Sequence, residues 1–225
     1  MDCLRLRAKS AYGQFRKPYT TTSALTFLCI HPIAVKGLVG AVLGISRSAL
    51  HESTSNMKVG IRVLSPVRKD MQTIKLITMK SEKMFNFPAN AEFLRDLEYE
   101  LFITWDSDKL DELETKLVSR TPVFTPCLGV TEHVAKLDFV DRSDAVAIQG
   151  ADVVDSVVPT QLLGNVQFSD YDIFIDDIPV VNNEKREYTK YEKVVFAFKE
   201  GKNCGLKGAI SGDVFKVGDS NIFFF

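Results

Sequence analysis

Three cations alternate with aliphatic residues near the start of the chain, in residues 3–9 (CLRLRAK). Because side chains alternate between the two faces of a β-strand, Arg5, Arg7 and Lys9 would share one face of a strand over about residues 2–9. Such a row of positive charge could track an RNA backbone. The alternative is an exposed strand face whose cations pair with acidic residues from the second half of the chain.

Aromatic and basic residues are interleaved in the loop that follows, residues 12–19 (YGQFRKPY). Aromatic rings can stack on nucleobases, and cations can neutralise phosphates. Tyr12, Gln14, Arg16 and Lys17 are therefore candidate RNA contacts. For the aromatic residues, and above all for Phe15, the alternative is packing in the core beneath a long loop.

A glycine-rich apolar run, residues 31–45 (HPIAVKGLVGAVLGI), predicts a helix from about residue 35 to about residue 50. Each glycine costs a helix about 1 kcal/mol relative to alanine, so the run indicates close approach of another part of the structure. Gly40 and Gly44 are predicted packing positions. Lys36 stands at the predicted start of the helix, where free N–H groups attract anions, and is a candidate phosphate contact.

These segments together resemble a known family. The alternating strand, the FRKP sequence of the loop, Pro32 before the GLVGAVLG run, and TPCLG at residues 125–129 are similar to the fifth CRISPR-associated (Cas) protein family. That family is part of the RAMP superfamily, and its members are subunits of type I Cascade complexes. The resemblance covers most of residues 1–135, and its general character favours subtype I-B.

The resemblance implies further RNA contacts. The family carries a similar proline- and glycine-containing element close to the guide RNA, which would place Pro126 and Gly129 at the RNA. It also has a hairpin "thumb" near residues 68–90, and the polar composition of that segment suits a projecting β-hairpin. Arg68 and Lys69 at the base of the hairpin are then candidate RNA contacts; the alternative is an ordinary solvated charge pair.

The function implied by the resemblance is binding of the 5′ handle of a CRISPR RNA and capping of one end of a Cascade backbone in antiviral interference. The implied partners are the CRISPR RNA, the backbone subunit and the large subunit, with target DNA reached through the complex. Two other interpretations stay open. One is a metal-independent endoribonuclease that processes precursor CRISPR RNA, and the other is a scaffold whose basic half contacts only acidic protein surfaces.

Histidines bear on the endoribonuclease alternative, because cleavage without a metal needs a base and an acid beside the scissile phosphate. Type I-C relatives process guide precursors with tyrosine, lysine and histidine. Here His133 with Lys136, or His31 with Tyr12, are the combinations considered, and neither spacing forces the side chains together. The sequence therefore predicts RNA binding without cleavage and no catalytic residue.

Charge is divided unequally along the chain. The formal net charge of −1 alone argues against a nucleic-acid-binding protein. However, residues 1–80 hold 13 Lys+Arg and 3 Asp+Glu, a net of +10, whereas residues 81–225 hold the remaining 15 and 26, a net of −11. The first part therefore has the charge expected of a surface for a polyanion, unless the two parts neutralise each other across an interface.

Cysteines and apolar runs give little sign of a cofactor or a membrane. Cysteines stand alone at positions 3, 29, 127 and 204 without a C-x-x-C pair, so no metal site is predicted. Their usage fits a reducing cytoplasm. Met1 leads directly into a charged strand, and the apolar run at 37–45 is too short to span a bilayer, so we expect a cytoplasmic protein without a signal peptide, membrane span or cofactor.

The order of predicted elements favours an α+β fold, namely a ferredoxin-like (RRM-like) RAMP domain over residues 1–148 that includes the thumb. Strands are predicted over 59–64 and 93–105, and a helix begins after Asp106. The acidic row of the 93–105 strand is expected to face solvent or a protein partner. Residues 149–225 are expected to form an irregular, β-rich C-terminal part packed on that domain.

Overall fold

Strands dominate the computed structural model, which describes residues 1–20, 23–77, 86–164, 166, 171–208 and 210–225. In chain order the strands are β1 (Asp2–Gly13), β2 (Ser23–Ala24), β3 (Lys58–Val63), β4 (Lys69–Ile77), β5 (Asn86–Thr104), β6 (Lys136–Ile148), β7 (Val153–Val154), β8 (Val158–Pro159), β9 (Asp172–Asn182), β10 (Tyr188–Lys199), β11 (Lys202–Cys204), β12 (Leu206–Lys207), β13 (Val214–Val217) and β14 (Ser220–Ile222). The helices are α1 (Pro32–Leu43), α2 (Leu50–Ser53) and α3 (Ser107–Ser119), with a short 3-10 helix at Thr160–Leu162.

The central sheet has the order β3-β5-β1-β6, and all of these pairings are antiparallel. Helix α1 lies between β1 and β3 in the chain, and α3 lies between β5 and β6. The succession of these six elements is therefore β-α-β-β-α-β, as in ferredoxin-like folds. The predicted α+β class is confirmed.

Both helices pack on one face of this sheet and on each other. The aliphatic residues of β1, including Leu4 and Leu6, are buried beneath them. Helix α3 presents Leu110, Leu113 and Leu117 to the core, at the spacing that gives an amphipathic helix one apolar stripe. The hydrophobic periodicity of the strand and the helix thus determines which face of the sheet is buried. The cations of β1 lie on the opposite face.

Helix α1 differs from its prediction at both ends. It begins at Pro32, with His31 as N-cap, and ends at Leu43, because Gly44 has the left-handed φ of 74° that closes helices. Lys36 is therefore inside the helix, so its predicted place at the N-terminal N–H groups is wrong. A Cβ at Gly40 would lie 2.4 Å from Leu50 Cδ1, which is a close approach of the predicted kind.

Strand β5 is 19 residues long and belongs to two structures. Its first part pairs with β4 from Ile77↔Asn86 to Lys69↔Leu94, and we call this hairpin the thumb. Its second part is the central strand between β1 and β3. Asp96 has a φ of 56° where the two parts join. The predicted hairpin over 68–90 is present at its base, whereas its tip, residues 78–85, lies outside the described residues.

The C-terminal residues contribute to the same fold. Strands β13 and β14 extend the central sheet beyond β6, and the β9–β10 hairpin contributes residues such as Ile178 and Phe196 to the core under α1. The terminal Phe225 exchanges two backbone hydrogen bonds with Val59, and Phe224 is buried. The hydrophobic core therefore continues across the predicted boundary at residue 148.

Candidate nucleic-acid interface

Two loops and the thumb meet at the far end of β1. The backbone N–H of Gln14 donates to the carbonyl of Leu128 at 3.0 Å, which joins the loop after β1 to residues 126–129. The buried side chain of Gln14 donates to the carbonyls of Ala24 at 3.1 Å and Glu92 at 3.0 Å, which tie in β2 and the thumb. Gln14 therefore positions the loop, and its amide N–H groups are already used.

Gly129 lies against the backbone of this junction. Its φ is +97°, and a Cβ built on it would lie 1.7 Å from the carbonyl oxygen of Gln14. Only glycine allows two backbones to come so close in this conformation. Pro126 is buried and its carbonyl accepts from Ala135 at 2.8 Å, so the same loop is anchored on both sides of Cys127. The two candidates thus shape the site, and Gly129 is the exposed one.

Arg16, in the loop after β1, lines two cavities. It is exposed and forms no ion pair with any described residue. One cavity, of about 850 Å³, lies under the base of the thumb and is also lined by Gln72, Phe93, Val130 and His133. This thumb-base cavity is open to solvent beside an uncompensated guanidinium, which is a suitable place for a phosphate.

The thumb presents an apolar face to this cavity. Ile74 pairs with Ala89 and Leu76 pairs with Phe87, so these four side chains share one face, and all line the cavity. The opposite face carries Met71 and other exposed residues. An apolar wall beside a free cation is the combination that lets bases pack while phosphates are neutralised.

Sequence comparison identifies the family. The model of the family described as CRISPR-associated protein (Cas_Cas5) matches residues 3–195. The chain belongs to the Cas5 family. The predicted membership of the fifth Cas family is thereby confirmed, while subtype I-B stays a prediction. Among curated proteins, none matches the chain in sequence.

Solved structures share the fold of this Cas5 chain. A protein in a structure titled "CRISPR RNA-guided surveillance complex" superposes with a TM-score of 0.57 at 15% identity, covering 92% of this chain and 91% of that one. A CRISPR protein from Archaeoglobus fulgidus superposes with a TM-score of 0.58 at 11% identity, covering 99% and 98%. The fold shared with these two proteins therefore extends over nearly the whole chain, including the C-terminal residues.

The cationic row on β1 faces an acidic row of the Cas5 sheet. Arg7 lies 3.6 Å from Glu98 and 3.8 Å from Glu100, and Lys9 lies 3.0 Å from Glu98. Arg5 pairs with Asp141 and lies 3.9 Å from Glu100. These three side chains therefore pair with acidic residues from the second half of the chain, as the alternative interpretation predicted. The expectation that the acidic row would face only solvent or a protein partner was wrong; RNA contact by the cations stays a prediction.

Three other candidate cations are also paired. Lys17 Nζ lies 2.7 Å from Asp176, whose other oxygen accepts from the N–H of Leu28 at 2.9 Å. Arg68 lies 3.2 Å from Asp96, and Lys69 lies 3.0 Å from Glu92 at the base of the thumb. The pKa of Lys17 is raised: burial favours its neutral form, but the Asp176 carboxylate outweighs that effect. These cations hold the loop and the thumb in place.

Lys36 lines the second cavity together with arginines that the sequence did not single out. This cavity, of about 580 Å³, lies on the other side of Arg16 and also contains Arg47, Arg186 and Tyr188. Burial lowers the pKa of Lys36. Arg47 lies 11 residues after Lys36 and Arg186 lies 150 residues after it, so the fold reveals that the three line one cavity.

The histidines fall into different environments. His31 is buried, its Nδ1 accepts from the N–H of Ala34, and burial lowers its pKa to about 3. Tyr12 contacts the ring of His133, with centroids 5.9 Å apart, and does not contact His31. Lys136 pairs with Asp138 at 3.2 Å. Of the two combinations considered from sequence, neither forms, but Tyr12 and His133 form a third. His133 also lines the thumb-base cavity.

Within the described residues, no group of three or more histidine, cysteine or acidic side chains is arranged to hold a metal ion. Across the same residues, no helix is both long and apolar enough to span a membrane.

Proposed function

We propose that this Cas5 chain binds the 5′ handle of a CRISPR RNA and caps one end of the backbone of a Cascade complex, without cutting the RNA. The observation that carries the proposal is the thumb-base cavity, where the apolar thumb face stands beside the unpaired Arg16. Single-stranded RNA is held by the same two elements elsewhere, namely apolar or aromatic surfaces for bases and free cations for phosphates.

The RNA path in this proposal runs under the thumb and past Arg16 toward the Gly129 loop. Tyr12 and His133 would provide rings beside the path, while Gln14 and Pro126 keep its walls in position. Lys69 and Arg68 at the thumb base could bind phosphate only by giving up their carboxylate partners, and the loss of those ion pairs would reduce the gain in binding free energy. The row on β1 would contribute less for the same reason.

The partners in this proposal are those of a ribonucleoprotein complex: the CRISPR RNA, a backbone subunit, a large subunit and, through the complex, target DNA. Family membership and the likeness to a protein of an RNA-guided surveillance complex support the proposal. In this proposal the thumb, with its exposed outer face, would be the element that contacts a neighbouring backbone subunit. We propose a cytoplasmic location for this assembly.

RNA binding by single variants tests the proposed path. Arg16→Gln should lower the affinity for repeat RNA and reduce the log–log salt slope by about 0.7, the contribution of one phosphate contact in single-stranded RNA. Lys216→Gln is the matched control, since Lys216 is an exposed cation of β13 opposite Val146, at the end of the sheet away from Gly13. An unchanged slope for Arg16→Gln would remove Arg16 from the RNA path.

The thumb face is tested separately. Leu76→Ser changes the face that lines the cavity, and Met71→Ser changes the opposite face of the same strand. We expect Leu76→Ser to weaken RNA binding by about threefold to tenfold and Met71→Ser to leave it within about twofold. Equal effects of the two substitutions would show that the inner face does not hold the RNA.

A second candidate function is metal-independent RNA cleavage, and the contact between Tyr12 and His133 favours it. Burial lowers the pKa of His133, which keeps its imidazole neutral near pH 7 and able to accept a proton. Purified protein incubated with repeat RNA, with and without divalent metal, distinguishes the two functions. Site-specific cleavage that is lost in both His133→Ala and Tyr12→Phe would replace the binding-only proposal; retention of intact RNA supports it.

A further inference from the structure

A second cavity lies behind the proposed RNA path, on the opposite side of Arg16. It is bounded by α1, by the turn before α2, by the Gly129 loop and by the turn between β9 and β10. Its volume of about 580 Å³ falls in the range of sites that hold one small organic molecule. We call it the α1 cavity.

Positive charge enters the α1 cavity from separate parts of the chain. The cations are Arg16 from the loop after β1, Lys36 from α1, Arg47 from the turn before α2, and Arg186 from the β9–β10 turn. No aspartate or glutamate lines the cavity, and none of these four side chains forms an ion pair with a described residue.

Cations in other parts of the described structure are neutralised by carboxylates. Arg5, Lys17, Arg62 and Arg142 each have a carboxylate partner. In the α1 cavity, by contrast, Lys36 is partly buried among apolar side chains, and burial lowers its pKa. Converging cations without counter-charges repel one another, and a bound anion would relieve that repulsion.

The remaining wall of the cavity fits a ring system rather than a bare anion. Tyr188 lies along it, and its ring meets that of the neutral His31 at 5.4 Å. Ile33 and Leu50 add aliphatic surface. Gly37 of α1 also lines the cavity, and a Cβ built on it would meet nothing within 4 Å. The helix therefore leaves space at a position where almost any side chain would intrude.

We propose that the α1 cavity binds one phosphorylated nucleotide, with its phosphate among the four cations and its base against the Tyr188 wall. The nucleotide is either a free nucleoside monophosphate or a nucleotide of the RNA bound at the thumb base; only the second source rests on the proposed function. This site contains residues that the proposed RNA path does not use, namely Lys36, Arg47, Arg186 and Tyr188.

Gly37 provides the test, because a Cβ at this position would meet nothing within 4 Å and a longer side chain would extend into the cavity. Gly37→Leu puts a large side chain into the cavity and adds no charge. Gly37→Ala is the matched control, because it also replaces the flexible glycine but adds only a methyl group. Isothermal titration of the full chain with adenosine, guanosine, cytidine and uridine 5′-monophosphates, and with inorganic phosphate, measures the free ligands. Labelled repeat RNA measures the strand. We expect binding at least about tenfold weaker in Gly37→Leu than in Gly37→Ala, and a smaller loss in Arg186→Gln.

The two sources give different results. If Gly37→Leu weakens the binding of the monophosphates and RNA competes with them, the cavity binds both a free nucleotide and a nucleotide of the strand. If Gly37→Leu weakens the binding of RNA alone, the cavity binds a nucleotide of the strand. Equal binding of every probe by Gly37→Leu and Gly37→Ala would overturn the assignment, as would inorganic phosphate binding as tightly as the monophosphates. Gly37-dependent binding of monophosphates by a chain that retains no RNA would refute the proposed function and leave the nucleotide site standing.

Discussion

Substitution of Gly129 by alanine is expected to damage both the stability of the fold and the RNA path. The added Cβ would lie 1.7 Å from the carbonyl oxygen of Gln14 and 2.6 Å from its carbonyl carbon. These are backbone atoms, so no side-chain rotation can relieve the contact. The φ of +97° adds backbone strain for any residue with a Cβ.

The magnitude follows from these two effects. A residue held in a sparsely populated backbone region costs about 1–3 kcal/mol, and forcing an extra carbon into a packed site costs about 1–3 kcal/mol. Their sum, about 2–6 kcal/mol, is a large part of the stability of an ordinary domain, which is about 5–15 kcal/mol. At about 2–4 °C per kcal/mol, the melting temperature should fall by about 4–24 °C.

Differential scanning calorimetry of three alanine variants separates the contributions. Gly218→Ala has a φ of +57° with nothing within 4 Å, so it reports strain without a clash. Gly37→Ala has neither and should be neutral or stabilising by up to about 1 kcal/mol. We expect Gly129→Ala to melt lowest and to lose affinity for repeat RNA, because Gln14 and Arg16 depend on that junction. A Gly129→Ala protein that melts within about 2 °C of the unsubstituted chain would refute the reasoning.

Three further predictions concern charged groups. The pKa of His31 is lowered to about 3 in the folded state, so the unfolded state binds more protons than the folded state below about pH 6.5. The free energy of unfolding should therefore be unaffected by His31 above that pH and should fall by up to about 1.4 kcal/mol per pH unit as the pH decreases toward 3. Denaturation curves of His31→Asn at several pH values should show a shallower dependence of stability on pH. Asp176→Asn should lower the free energy of unfolding by about 2–3 kcal/mol, because it leaves the mostly buried Lys17 without its carboxylate partner. The double variant with Lys17→Met should recover part of that loss in denaturation curves. No recovery would mean that Asp176 stabilises the fold only through its hydrogen bonds to the backbone. Arg142→Gln breaks ion pairs with three carboxylates and should lower the melting temperature most at low ionic strength, which a salt series of thermal melts would check.

Local periodicity predicted the central part of the fold. The alternation in residues 3–9 predicted β1 and both of its faces, and the spacing of the leucines predicted the buried stripe of α3. Both patterns could be interpreted because the face on which a side chain lies depends only on its position within its own strand or helix. The start of α1 was misplaced although its signal was present: Pro32 is a favoured first helical residue. Reading that signal would have moved Lys36 away from the helix terminus.

Pairing between distant residues was not predictable in the same way. Glu98 and Glu100 face the cations of β1 because β5 lies beside β1 in a fixed register, and the sequence contains no local signal for that register. The α1 cavity depends on Arg47, which follows α1 closely in the chain, and on Arg186, which only the distant β9–β10 turn brings near Lys36. The site residues that sequence missed are therefore those supplied by tertiary structure.

The length of β5 has a mechanical consequence. One unbroken backbone runs from the thumb into the centre of the sheet, where its neighbours on both sides are buried strands. A pull on the thumb is thus carried along covalent bonds into the central sheet, and it passes through Asp96, the residue of β5 with a positive φ. A force on the thumb would therefore act first on the ion pairs around Asp96, namely Arg68–Asp96 and Lys69–Glu92, before it reached the buried part of the sheet.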